Sequence, residues 1–301
     1  MCLNFKPISE EDIENISYYF KLRSNKTCDS VFLDVYLWKD FYNVKFAIWQ
    51  NKALLITMVI DGEDYCALPM CKEEHIKEAF NVLLDYFNNT LNKNLKVYLA
   101  DEEGINALNL DKNLFNIDEV DDAKDYLYLA ENLKTLPGKK LRKKKNHINA
   151  FLRENENNFY YKTLCCQASD TILEFLNRWR DNKGENQEEH LDGELEGIND
   201  ILKNCNALNV TMAGIFVNDK LEAFTIGSYN ELEKMAIIHI EKANPNIRGL
   251  YPYINQQFII NAFPDAYIVN REDDLGLEGL RKAKLSYEPI GYAKKYRVIQ
   301  L

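Results

Sequence analysis

Three stretches of this 301-residue chain group side chains able to do chemistry. The first is Lys139-Lys140-Leu141-Arg142-Lys143-Lys144-Lys145-Asn146-His147, which opens with six basic residues in seven positions. Positive charge at that density displaces the counterions of a phosphate backbone and is drawn to an acidic membrane surface. The same run also reads as the solvated face of a helix. The second is a strand, His239-Ile240-Glu241-Lys242-Ala243, then the loop Asn244-Pro245-Asn246-Ile247-Arg248-Gly249 and a helix starting near Tyr251. A turn carrying Arg and Gly before a helix N-terminus offers unpaired N–H groups to an anion. A lone glycine there equally serves chain reversal. The third is Asn270-Arg271-Glu272-Asp273-Asp274-Leu275-Gly276, followed by Arg281, Lys282, Lys284 and Tyr287. A strand end rich in Asn, Arg and carboxylates ahead of a basic helix crowds polar groups at one sheet edge, a place that hosts ligands, although a capped helix with a solvated basic face has the same pattern.

Other chemistries lack their signatures. There is no HExxH and no Cys/His ligand spacing, and Glu188–Glu196 reads as a solvated helix start, so no metal is expected. No GxSxG elbow, Walker loop or GxGxxG occurs. The seven cysteines (Cys2, Cys28, Cys66, Cys71, Cys165, Cys166, Cys205) are odd in number without a CxxC pair, which predicts reduced, mostly buried thiols.

These residues need elements to position them. Ser9 and Asp12 cap a helix predicted near 10–20. Apolar alternation predicts strands at Val44–Trp49, Ala53–Ile60 and Asp64–Leu68, with turns at Asn51-Lys52 and Asp61-Gly62. Ile76, Phe80, Leu83, Leu84 and Phe87 fall at helical spacing, and Leu95–Leu99 reads as a strand. The second half repeats this order. Strands Val210–Val217, Leu221–Ser228 and Lys234–Ile240 precede a helix near 251–263 and a strand at Ala266–Val269, at offsets of roughly 170 residues. A whole αβ domain has been duplicated on this reading. Pro137-Gly138 marks the boundary, with Tyr126–Ala130 as the closing strand of the first unit. The expected domains are therefore 1–135 and 136–301.

Composition bounds the rest. The residues are 46% hydrophobic and 28% charged, which supports folding throughout. A net charge of −10 excludes a uniformly basic nucleic-acid sleeve. The longest nearly apolar run, Ala53–Ile60, is far short of the ~20 residues of a membrane span. The N-terminus lacks the apolar stretch of a secretory signal, so a cytoplasmic location is expected.

His239-Ile240-Glu241-Lys242-Ala243, Arg248-Gly249-Leu250-Tyr251, Asn255-Gln256-Gln257-Phe258, Asn270–Gly276 and Leu280–Pro289 resemble an uncharacterised bacterial family related to the C-terminal catalytic domain of phosphatidylglycerol lysyltransferase. Leu37-Trp38 and Leu136-Pro137-Gly138-Lys139-Lys140 with Lys144-Lys145-Asn146-His147 extend the resemblance over nearly the whole chain. It implies an α/β (α+β) fold of two tandem GNAT-like domains, each a mixed, mostly antiparallel sheet flanked by helices, as in Fem-type peptidyltransferases. It also implies a soluble acyltransferase that moves an aminoacyl group from aminoacyl-tRNA to an amine or hydroxyl of a small-molecule, peptide or lipid acceptor. For the transfer that the resemblance implies, Glu241 on the fourth strand is the expected base and Tyr287 the expected acid, with Arg281 and Lys242 stabilising anionic charge. Arg248, Gly249, Tyr251, Asn255, Asn270, Arg271 and Lys284 are expected at the donor and substrate, and Lys139, Lys140, Arg142, Lys143, Lys144, Lys145 and His147 along the tRNA or another polyanion. Two alternatives stand beside this: an acyl-CoA-dependent GNAT N-acyltransferase, although one glycine in Asn246–Tyr251 falls short of the coenzyme A signature, and a non-catalytic RNA or acidic-partner binding module with a vestigial pocket.

Overall fold

The computed structural model describes residues 3–181, 188–208 and 210–301, with Glu188 and Glu189 described in backbone only; the Cys2 thiol expected to be reduced lies outside the described residues. The first strands are β1 (Lys6–Pro7), β2 (Lys45–Trp49), β3 (Ala53–Ile60), β4 (Glu63–Cys66), β5 (Met70–Cys71), β6 (Lys96–Asp101) and β7 (Phe115–Glu119). They are followed by β8 (Asp125–Leu129), β9 (Phe159–Leu164), β10 (Thr211–Val217), β11 (Lys220–Asn230), β12 (Met235–Ala243), β13 (Ile268–Asn270), β14 (Gly291–Ala293) and β15 (Lys295–Gln300).

Two compact units result. The first runs to Asp125 and takes up the chain again from Ala293 to Leu301; the second is Tyr126–Tyr292. The first unit's sheet has the order β1-β2-β3-β4-β6-β15-β7, with β5 beside β3. The Asn51 and Asp61-Gly62 turns have positive φ, as tight hairpins require, so β2, β3 and β4 form the expected meander. Helix Ile76–Asp85 then buries Ile76, Ala79, Phe80 and Leu83 and returns the chain to β6, which runs parallel to β4.

The second sheet has the order β14-β8-β13-β12-β11-β10-β9 and repeats that path. Asn218 and Asp219, both at positive φ, turn β10 into β11. Helix Leu250–Ala262 carries the chain across to β13, parallel to β12. It buries Leu250, Ile254, Phe258 and Ile259 against Ala213, Ile215, Ala223, Ala236 and Ile238 of the sheet. Full burial of each large apolar side chain is worth about 1.5–3 kcal/mol.

Three expectations need correction. The strand read as closing the first unit, β8, pairs with β13 in the second sheet, while the last strand, β15, lies between β6 and β7 in the first. The units are therefore not 1–135 and 136–301. An apolar alternation states that a strand has a buried face but not which sheet receives it. In the first unit β15 is tied down by Lys295, fully buried, which pairs with Asp29 and, at 2.7 Å, with Asp125. The helix expected over 10–20 is α-helical only over Ile13–Ser17, with 3-10 turns Glu10–Asp12 and Tyr19–Lys21 on either side, and the Ser9/Asp12 capping box forms. Finally, Cys166 and Cys205 form a disulfide with Cα atoms 5.9 Å apart, whereas Cys28, Cys66 and Cys71 are buried thiols and Cys165 is an exposed one. Their 39-residue separation carried no signal in the sequence.

Gly249 caps the Leu250–Ala262 helix at φ +80°, and a Cβ there would lie 2.0 Å from the His147 carbonyl oxygen. Gly138, at φ +74°, has open space around the same position. Both glycines to alanine should lose the ~1–2 kcal/mol of a left-handed L-residue. Gly249→Ala should lose at least about 2 kcal/mol more from the backbone clash, read as a larger fall in the urea midpoint; equal losses would show that the two segments separate freely.

Candidate active site

The site is built where β12 outruns its parallel neighbour. β13 pairs only Ile268, Val269 and Asn270, with Met235, Ala236 and Ile237, so Ile238–Ala243 continues along β11 with no partner in β13. In that free stretch the β11–β12 ladder slips, with Ile226 opposite Ile240 but Gly227 opposite Ile238, and His239 is the extra residue of a bulge. The bulge reverses which side chains face the Leu250–Ala262 helix. Ala236 and Ile238 face it before the slip; Glu241 and Ala243 face it after. Strict alternation from Ile238 would have turned Glu241 away.

Glu241 is held at both oxygens. Asn255 Nδ2, from the helix, donates to Oε2 at 2.7 Å, and Arg271 Nη2, from the first residue after β13, donates to Oε1 at 2.9 Å. The ion pair is largely buried, with side-chain exposures of 10% and 13%. The Arg271 guanidinium lies 4.6 Å from the centre of the Tyr287 ring and 5.8 Å from that of Tyr128. Burial opposes the charge on Arg271, but Glu241, Tyr287 and Tyr128 outweigh it and raise its pKa. Burial pushes the Tyr287 phenol up to about 12, with Arg271 opposing. Lys144 Nζ stands 4.0 Å from the centre of the same Tyr287 ring. Burial, then the like charges of Arg271 and Lys143, bring the Lys144 ammonium down to about 8.

Two buried polar atoms beside Glu241 have no hydrogen-bond partner among the described residues: Arg271 Nη1, and Thr225 Oγ1 directly across the ladder from Glu241. Buried polar groups are rarely left unpaired except where a ligand or solvent completes them.

The loop bearing Arg271 is fixed by its neighbours. Lys284 is buried and donates to the carbonyls of Arg271, Glu272 and Asp273. Glu272 accepts from His239 Nδ1 at 2.8 Å, and His239 Nε2 meets Ser228 Oγ at 2.8 Å. Asn270 Oδ1 accepts from the Glu272 N–H. Arg281 binds Asp274 through Nε at 2.7 Å and Nη2 at 2.9 Å, and the Tyr126 hydroxyl donates to the same carboxylate.

Of the residues expected from the sequence, the structure therefore brings together Glu241, Tyr287, Arg271, Asn255 and Lys144. Lys242 faces the other side of the sheet, paired with Glu194 at 2.6 Å and 4.4 Å from the Trp179 ring centre. Arg281 is committed to Asp274, and Lys284 to backbone carbonyls. Tyr251 accepts from Trp179 Nε1, and Arg248 is exposed, 3.7 Å from Glu154. Gly249 serves the helix contact described above. In the basic run, Lys139, Lys140, Arg142, Lys143 and Lys145 are exposed, and His147 is half-buried. Thr225 escaped the sequence reading because only the β11–β12 register places it opposite Glu241.

An antiparallel meander, a helix, and a strand returning parallel to a diverging fourth strand make a GNAT-like domain, and this plan occurs once in each unit. The chain belongs to the family described as phosphatidylglycerol lysyltransferase, C-terminal, which residues 20–299 match. It is similar over 100% of both chains, at 28% identity and a TM-score of 0.91, to a conserved protein of unknown function from Bacteroides thetaiotaomicron. The structure of L-PGS from Bacillus licheniformis shares the fold at 14% identity and a TM-score of 0.67, over 98% of this chain and 92% of that one. FemX does so at 10% identity and 0.52, over 99% and 97%. An uncharacterized protein of Mycoplasmoides gallisepticum is 26% identical over 207 residues, 67% of this chain; the match spans 64% of that curated relative's length. No helix among the described residues is long and apolar enough to cross a membrane.

The hydrogen bonds of Arg281, opposed by burial and aided by Tyr126 and the Gly276 N–H, hold Asp274 down at about 2 against an ordinary 3.8. A depressed carboxylate stabilises the fold above its ordinary pKa and loses that contribution as pH falls through the folded value. Unfolding free energy should therefore fall more steeply from pH 4 to pH 2 in the parent than in Asp274→Asn; equal slopes in urea titrations would show that the pair contributes nothing.

Proposed function

We propose that the chain is an acyltransferase that moves an aminoacyl group from aminoacyl-tRNA onto an amine or hydroxyl acceptor. The single observation that carries this reading is the Glu241–Arg271–Tyr287 cluster in the opening left where β12 continues past β13. Transfer needs a proton acceptor on the attacking group, a donor to the leaving oxygen and positive charge near the developing oxyanion. Glu241, though held at both oxygens, keeps lone pairs for the proton of the acceptor. As the new N–C or O–C bond forms and the ester C–O bond breaks, Tyr287 gives its proton to the departing ribose oxygen, which leaves as a hydroxyl, and Arg271 faces the anionic charge. The exposed members of the Lys139–Lys145 run supply a surface for the tRNA backbone.

The donor choice rests on the helix start at Gly249. A pyrophosphate would seek the N–H groups there, yet the Leu250 N–H already donates to the Ile247 carbonyl and Pro252 has none to offer. Aminoacyl-tRNA is therefore placed ahead of acyl-CoA.

Labelled aminoacyl-tRNA offered with amine, peptide and lipid acceptors should yield labelled product, and Glu241→Gln and Tyr287→Phe should each slow it by about 10²-fold or more. Transfer unchanged in both variants would remove these residues from the chemistry. Calorimetry with acetyl-CoA separates the alternative donor: micromolar binding would favour it. Binding of tRNA should weaken with salt, and Lys143→Gln and Lys145→Gln should each lower the log–log salt slope by about 1. Binding indifferent to both substitutions would move the tRNA elsewhere, and tRNA binding without any transfer would favour a binding module.

A further inference from the structure

Lys144 does not behave as one of a run of surface lysines. Helix Arg142–Glu154 buries Ile148 and Phe151, and Leu141 at its N-cap is buried as well. Lys144 falls three residues after Leu141 and four before Ile148, on that inward face, whereas Arg142, Lys143 and Lys145 are exposed. Its ammonium and the Arg271 guanidinium rest against the same aromatic ring, that of Tyr287. Glu241 is ion-paired with Arg271, and no carboxylate among the described residues forms an ion pair with Lys144. The cluster thus holds two cations to one anion. Buried charge of one sign is costly unless paired. Arg271 Nη1, and Thr225 Oγ1 across the ladder from Glu241, add two buried hydrogen-bonding atoms without partners among the described residues.

We propose that this cluster is an anion subsite, in which Lys144 and Arg271 bind a phosphate or carboxylate group of the substrate. The inference rests on the reading of Glu241, Arg271 and Tyr287 as the transfer site and adds to it that one substrate brings a negative charge into the site. Burial first, then repulsion from Arg271 and Lys143, weakens the hold of Lys144 on its proton, with Glu241 opposing; an anion there cancels the excess charge and offsets the repulsion. Phosphate and carboxylate share this chemistry, since both accept from ammonium and guanidinium groups.

The full chain is titrated with inorganic phosphate and, separately, with acetate, and lysine acetylation by acetic anhydride is followed residue by residue by mass spectrometry. The expected result is saturable protection of Lys144, slowed at least fivefold, with Lys143 and Lys145 unaffected; protection by phosphate alone identifies a phosphoryl group, and protection by acetate a carboxylate. By calorimetry, Lys144→Met should weaken the protecting anion at least tenfold and Lys144→Arg should retain it. Lys144 labelling unchanged by both anions, or binding weakened equally by Lys143→Met and Lys145→Met, would overturn the subsite. Because neither readout involves acyl transfer, protection without transfer would count only against the transferase reading. Transfer without protection would count only against the subsite.

Discussion

The ion pair between Glu241 and Arg271 spans an opening that the backbone itself creates. Parallel pairing between β12 and β13 ends at Ile237 and Asn270, and the next residue of the shorter strand reaches back to a carboxylate four residues further along the longer one. Had β13 continued in register, backbone hydrogen bonds would fill this space and no side chain would be needed. The short strand therefore exchanges a ladder for a buried charge pair, and everything around that pair follows from keeping it satisfied: Asn255 on the free oxygen, the Tyr287 ring against the guanidinium, and the Lys284 ammonium on the carbonyls of the loop that delivers Arg271.

Removing one partner of such a pair leaves an uncompensated buried charge, typically costing about 3–5 kcal/mol. The residues around the loop thus have a role in holding geometry rather than in meeting a substrate. His239 illustrates this twice. As the extra residue of the bulge it turns Glu241 toward the helix, and through Nδ1 it anchors Glu272 beside Arg271. The polar crowding legible in Asn270–Gly276 is mostly internal bonding of this kind.

The basic segment divides in a comparable way. The run looks uniform in composition, but the turn at Lys139-Lys140 and helix Arg142–Glu154 assign its members to different environments. Lys144 turns inward with Leu141 and Ile148, while Lys139, Arg142, Lys143 and Lys145 meet solvent. One short segment therefore contributes an outer surface suited to a polyanion and an inner cation next to the Glu241 cluster.

Local patterns determined a good part of this protein. Apolar alternation and the Asn218-Asp219 and Asp61-Gly62 turns placed the meanders, spacing placed the Ile76–Asp85 and Leu250–Ala262 helices, and motif resemblance pointed to Glu241, Asn255, Arg271 and Tyr287. The meanders and helices are short-range properties, set by side-chain period and turn stereochemistry, whereas the four site residues came from the resemblance alone. Tertiary structure alone decided that β8 joins the second sheet and β15 the first, that Cys166 meets Cys205, that a bulge at His239 swaps the facing of Glu241 and Lys242, and that Lys144 belongs with Arg271 rather than with its neighbours in sequence. Each of these depends on register or on contact between distant segments, and neither residue type nor spacing encodes which of several compatible partners a strand, thiol or charge will take.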